Sequence, residues 1–160
     1  METTLKIGKL TIGSSEFANQ GFIPAKYTCE GENVNPSITI ENIPSGTKSL
    51  ALIIDDPDGP NGTFDHWIVW NIRPKEMIIE NTVPGTEGKN SFGKTKYQGP
   101  CPPEGKTHRY FFKVYALDSL INVQAGSDKK TVEKAMSKHI LGEGEIIGLY
   151  QKANRDHVET

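Results

Sequence analysis

Short apolar runs separated by glycine, proline, asparagine and serine dominate this chain. Leu5-Lys6-Ile7, Lys9 to Ile12, Ser37 to Glu41, Leu50 to Ile54, His66 to Ile72 and Tyr110 to Leu117 are rich in Ile, Val, Leu or aromatics, the rhythm of an all-β protein. Leu50 to Ile54 and Trp67 to Trp70 are apolar at successive positions, so both faces of these strands are expected to be covered, as in the centre of a sandwich. One segment changes period. Val132, Ala135, Met136 and Ile140 recur at helical spacing between a Ser127-Asp128 N-cap and Gly142, which predicts a helix over about 128–141 packed on the sheet by its apolar stripe. Glu145 to Lys152 predicts a last strand, and the polar tail to Thr160 is expected to fray. The longest irregular stretch, Val83 to Gly105, carries glycines ahead of Gly99-Pro100-Cys101-Pro102-Pro103. A loop that long inside a compact domain points to function or mobility.

With 160 residues and neither a repeat nor a linker, the chain is expected to form one domain, 1–160, around one core. Lys and Arg number 18 against 20 Asp and Glu, without a block of like charge, so the electrostatic footprint of a nucleic-acid binder is missing and no nucleic-acid partner is expected. Met1 to Leu10 alternates polar and apolar residues, and no apolar run approaches a membrane span, so the chain reads as soluble and cytoplasmic, without integral membrane association. Cys29 and Cys101 are too few for a disulfide framework and lack metal-site spacing. Buried thiols are the plain reading. A bridge between them would close a long loop and contribute about 3 to 5 kcal/mol, against the reducing cytosol; the sequence leaves both open.

Candidate chemistry gathers at Asp55-Asp56-Pro57-Asp58-Gly59-Pro60, directly after an apolar run, and at His66 and His108-Arg109-Tyr110. Proline and glycine hold the carboxylates in a stiff turn at a strand end, a place for chemistry more than for packing. Asp56, Asp58, His66 and His108 are types that bind divalent ions, yet His-Glu-x-x-His and repeated Cys-x-x-Cys spacings are absent. No Gly-x-Ser-x-Gly elbow exists, and Cys101 lies between prolines without a helix N-terminus to activate it. A pocket for a small anion or zwitterion fits better. A carboxylate beside an imidazole fixes its tautomer and favours its charged form, so Asp56 or Asp58 can keep His66 or His108 charged near neutral pH. The imidazoles and the Tyr110 hydroxyl would then donate to phosphate or carboxylate oxygens, an Asp could accept from an amine, and Pro100 to Pro103 would form a rigid apolar wall.

The turn Asp56-Pro57-Asp58-x-Pro60, the pair His66-Trp67, Gly99-Pro100-Cys101-Pro102-Pro103 and the segment Gly105 to Tyr110 resemble, in order and spacing, the signature segments of the phosphatidylethanolamine-binding proteins. The resemblance runs from about Phe22 to Tyr150 and is closest to their short bacterial and archaeal branch. It implies a mainly β, sandwich-like fold with a large central antiparallel sheet, a smaller second sheet and a few short helices. It also implies a cavity bordered by Asp56, Asp58, His66, Pro102, His108 and Tyr110 that accepts phosphate, acetate or phosphorylated head groups. Members of the family are described as lipid head-group binders, as inhibitors of protein kinases or serine proteases, and as signalling scaffolds. No reaction is generally assigned to the fold, no cofactor is expected, and related short members suggest a homodimer. Two departures stand out: the connection from Asp58 to His66 is short, and only ten residues, mostly polar, follow Tyr150 where mammalian members carry a further helix.

Three functions follow from these readings. The first is a non-enzymatic protein that binds a small anion and modulates or inhibits another protein, a protease or a kinase. The second is a serine protease inhibitor acting through the 83–105 loop; the third and weakest is a metal-assisted hydrolase. Other residues are expected to be structural. Asp55 caps the turn, and Arg109, between two pocket residues on a strand, points to the opposite face and forms an ion pair. His139 offsets the helix dipole, His157 belongs to the tail, and Trp67 and Trp70 are core or pocket-wall aromatics.

Overall fold

The computed structural model describes residues 6–152. Leu5 of the first expected strand, the polar tail from 153 to Thr160 and His157 lie outside the described residues. The strands are β1 (Gly8–Lys9), β2 (Thr11–Gly13), β3 (Gly21–Phe22), β4 (Ile38–Glu41), β5 (Ser49–Asp56), β6 (Phe64–Ile72), β7 (Met77–Ile78), β8 (Thr86–Glu87), β9 (Thr107–Leu117) and β10 (Ile140–Gln151). Among the described residues one helix, α1, spans Lys129–Met136, and one 3-10 turn covers Ala25–Tyr27. The large sheet runs β1-β10-β9-β5-β6-β8, with β3 also on β10, and the small sheet runs β2-β4-β7. The long strands pair antiparallel, as expected, but β1 and β3 join β10 in parallel, so the large sheet is mixed.

Alternation along the central strands makes two cores, one on each face of the large sheet, where a single core was expected. Leu50, Leu52 and Ile54 of β5, Trp67 and Val69 of β6, and Phe112, Val114 and Ala116 of β9 face the small sheet, where Leu10, Ile38, Ile40 and Ile78 meet them. Ala51, Ile53, Ile68 and Trp70 point the other way, under Val132 and Met136 of α1. Continuous burial of Ser49 to Asp56 is what the apolar run required: a strand covered on both faces cannot afford polar alternation.

The helix is shorter than its periodicity suggests. Asp128 caps it by accepting from the Thr131 amide at 3.0 Å, but it ends at Met136, and Ile140 and Gly142 belong to β10. Pairing decides the matter. Gly142 lies opposite both Ala116 of β9 and Gly8 of β1, and two ladders outweigh one further helical turn, which has little beyond local propensity to hold it. His139 therefore lies past the helix and pairs with Asp118 at 2.8 Å.

Strict alternation fails at two places in β6, one between Val69 and Ile72 and one beside the cavity. Ile54 lies opposite Trp67 while the next residue, Asp55, lies opposite Asp65. His66 is the extra residue, a β-bulge. Without it His66 would share the helix-side face of Ile68 and Trp70; with it, His66 and Trp67 both turn to the face of Leu52, Ile54 and Asp56.

Candidate anion-binding cavity

The ends of β5, β6 and β9 lie side by side in the sheet, and the even-numbered face of β5 and β9 brings Asp56, His108 and Tyr110 together. The bulge adds His66. These four, with Pro102, line a cavity of about 410 Å³ whose rim includes Pro60, Asn61, Phe64, Phe92 and Lys152. Asp56, His66, His108 and Tyr110 are all buried. His108 Nδ1 bonds to Asp56 Oδ2 at 2.7 Å, and Asp56 Oδ1 accepts from the Asp58 amide at 2.8 Å, which closes the turn. His66 Nδ1 bonds to the Gln98 carbonyl at 2.6 Å. The Tyr110 ring meets the His66 ring edge-on, centroids 5.2 Å apart, and stacks on His108.

Asp58 stands apart from this group. Arg109 takes its carboxylate with Nη2 on Oδ1 at 2.8 Å and Nε on Oδ2 at 2.9 Å, and the Arg109 amide adds a third bond. The Arg109 guanidinium holds the Asp58 carboxyl below its ordinary range. Arg109 is thus on the face opposite His108 and Tyr110, and it draws Asp58 to that side. The expectation that Asp58 orients an imidazole is corrected accordingly: Asp56 alone does so, for His108, and a backbone carbonyl does so for His66.

Asp55 is corrected as well. It is the penultimate residue of β5, so alternation sends it to the helix side, where it pairs with Lys113 at 3.0 Å and Lys129 at 3.4 Å instead of capping the turn. Lys129 also holds Asp65 at 2.8 Å. Two neighbouring aspartates in the sequence therefore serve opposite faces of the sheet.

Burial pushes His66 below its ordinary value, against the pull of the Gln98 carbonyl and of Asp56, Asp65 and Asp55. The expectation that a carboxylate holds His66 charged is therefore corrected: burial favours the neutral form of this ring. Burial first, then Asp56 and Asp58, pushes the Tyr110 hydroxyl upwards, which keeps it protonated and able to donate. Among the described residues no group of three or more His, Cys, Asp and Glu side chains is placed to hold a metal ion.

The wall of the cavity is anchored more firmly than a loop of its length suggests. Cys29 and Cys101 form a disulfide, Cα atoms 5.5 Å apart, where free buried thiols were the plainer expectation, and both residues are exposed. Cys29 N also donates to Pro100 O at 3.1 Å, Tyr97 Oη to Tyr27 O at 2.6 Å and Gly99 N to Asn33 Oδ1 at 2.8 Å. A Cβ added at Gly99 would lie 2.1 Å from Tyr27 O. Glycine there serves close approach, and Gly99→Ala should lower stability by about 2 kcal/mol, because the backbone it would push is itself tethered. Urea denaturation measures this; an unchanged midpoint would mean that the 97–101 segment moves freely. Sequence reasoning missed the bulge, the Gln98 carbonyl and the rim ring Phe92, whose centroid lies 4.6 Å from that of Phe64. Only Phe92 had a visible signal, an aromatic in a polar loop.

Fold and cavity define a two-sheet β protein with a histidine–aspartate cavity at the ends of its central strands. The model of the family described as phosphatidylethanolamine-binding protein matches residues 13–151, and the chain belongs to that family. It is 50% identical over 149 residues to a UPF0098 protein of Pyrococcus abyssi, covering 87% of this chain and 84% of that one. A UPF0098 protein of Aquifex aeolicus is 42% identical over 152 residues, 89% of each chain. Among solved structures, a putative phosphatidylethanolamine-binding protein homolog of Chlamydia trachomatis superposes with a TM-score of 0.87 at 35% identity, covering 91% of this chain and 99% of that one. An E. coli protein described as a member of the mammalian family gives 0.83 at 30% identity, covering 91% of this chain and 100% of that one. No described helix is long and apolar enough to cross a membrane.

Proposed function

We propose that this is a non-catalytic binding protein whose cavity takes a small anion of the phosphate or phosphorylated head-group class, and that the occupied protein modulates or inhibits a partner protein. The observation that carries this reading is the His108–Asp56 pair at 2.7 Å inside the cavity. When protonated, His108 is a cation with one nitrogen on its counter-ion and the other free, and an anion placed there completes an Asp–imidazolium–anion sandwich. Tyr110 adds a hydroxyl donor, and Lys152 a positive charge at the rim. The names of the relatives point the same way, since phosphorylethanolamine is the head group of the lipid in the family description.

Isothermal titration with phosphate and phosphorylethanolamine is expected to show saturable binding that falls tenfold or more in His108→Asn. The asparagine amide can still donate to Asp56, so the variant keeps the buried carboxylate satisfied while removing the ring nitrogen offered to the ligand. Absence of binding by the wild type, or undiminished binding by His108→Asn, would overturn the reading. Protease inhibition through the 83–105 loop draws less support. Its exposed tip is a turn closed on Asn90, whose Oδ1 accepts from Phe92 N at 2.9 Å and Lys94 N at 3.0 Å, whereas a segment laid along a protease is extended.

A further inference from the structure

Both imidazoles are tied by Nδ1 to groups that can only accept. The Gln98 carbonyl takes the His66 bond and the Asp56 carboxylate the His108 bond, so each ring keeps a proton on Nδ1 and leaves Nε2 for a ligand. Neither Nε2 is among the buried atoms left without a partner, and both rings line the cavity, so both nitrogens reach its open space. An imidazole Nε2 without a proton is a lone pair. For His108 a second proton has a compensating charge in Asp56. For His66 the Nδ1 partner is an uncharged carbonyl, the ring is 4% exposed, and its burial disfavours the charged form. The cavity therefore presents one ring backed by a carboxylate and one backed by an uncharged carbonyl, whose Nε2 is placed to accept.

We propose that the cavity selects oxyanions that still carry a proton, the phosphomonoester monoanion class, with the ligand's own O–H donating to His66 Nε2 and a charged oxygen accepting from Nε2–H of protonated His108. This rests on the anion-binding reading above and adds which anions it takes. An ester of sulfate has the same shape and charge but no proton, so one of its oxygens would set a lone pair against that of His66 in a buried site. An unmet acceptor pair of that kind weakens binding roughly ten- to hundredfold. The charged and titratable groups around His66 are Asp55 and Asp56 of β5, Asp65 of its own strand and His108 and Tyr110 of β9, with Lys152 on the same cavity rim. Asp55 and Asp65 are already paired with Lys113 and Lys129.

The test compares methyl phosphate with methyl sulfate by titration calorimetry at pH 5.5, where both are mainly monoanions, and again at pH 8, where a phosphomonoester, with its second pKa of about 6, has lost its proton. Methyl phosphate is expected to bind at least tenfold tighter at pH 5.5, with the preference shrinking at pH 8. In His66→Gln, whose amide donates as well as accepts, the two affinities should come within about threefold. Equal affinities in the wild type at pH 5.5, or tighter methyl sulfate binding, overturn the proposal and leave the anion pocket standing. A preference retained in His66→Gln overturns the role given to His66, and binding of neither ester overturns both readings.

Discussion

Replacing Cys29 and Cys101 together by serine is expected to lower the stability of the fold by about 4 kcal/mol, a fall of about 8–16 °C in Tm for a chain of this size. The bridge spans a sequence separation of 72, and that loop contains β4 to β8, so in the denatured chain it removes a large share of the conformational freedom that folding must overcome. Both cysteines are exposed, so serine leaves no cavity behind and the loss reports mainly the cross-link. A local effect accompanies it. Pro102 and Pro103 have no amide hydrogen, and the hydrogen bond of the segment just after Cys101, from Lys106 N to Pro103 O at 3.2 Å, lies within the segment itself. The disulfide is thus the covalent tie of this part of the cavity wall to the body, beside the hydrogen bond between the Cys101 backbone and Tyr110, and anion affinity should weaken in the same variant. Chemical denaturation of the oxidised protein and the double variant measures the first effect. A loss below about 1 kcal/mol would mean that the denatured chain is already compact around that loop.

Asp56→Asn is expected to weaken anion binding about a hundredfold while leaving the backbone in place. The asparagine Oδ1 can keep the bond from the Asp58 amide, but its other end becomes an NH₂ facing His108 Nδ1. Two donors cannot bond, so the His108 proton moves to Nε2 and Nδ1 accepts from the amide. The ring then offers its donor to the ligand as a neutral group, without a counter-ion behind it to support a charge, and a charge-assisted bond to the anion becomes an ordinary one. Titration of the variant with phosphorylethanolamine at pH 6 and pH 8 checks this; wild-type affinity would show that the Asp56 carboxylate does not act on the ligand through His108.

Much of the architecture is legible in the chain because burial on two faces leaves a strong pattern. Leu50 to Ile54 and Trp67 to Trp70 can only be central strands, and they are. The helix start is equally plain, since Asp128 has a specific hydrogen-bonding task. Its end is not, because Ile140 and Gly142 satisfy a helical period and a strand equally well, and only partners distant in sequence, Ala116 and Gly8, decide between them. The site divides in the same way. Which residue types gather at the cavity was readable from motifs, but the division of labour among Asp55, Asp56 and Asp58 depends on where β5 ends and on which face Arg109 occupies. The disulfide, between residues 72 apart in sequence, leaves no local mark.

His66 enters the cavity through one inserted residue of β6, which makes the completeness of the site a matter of counting rather than of lettering. Deleting a single residue between Phe64 and the bulge would preserve both signature aspartates, both histidines and the proline wall, yet it would turn the second imidazole towards α1. Such a chain would still read as a full member of its family by motif, with half of the proposed recognition surface missing. Among relatives, the distance from the aspartate turn to the His-Trp pair is accordingly a better guide to a working two-ring cavity than the presence of the residues themselves.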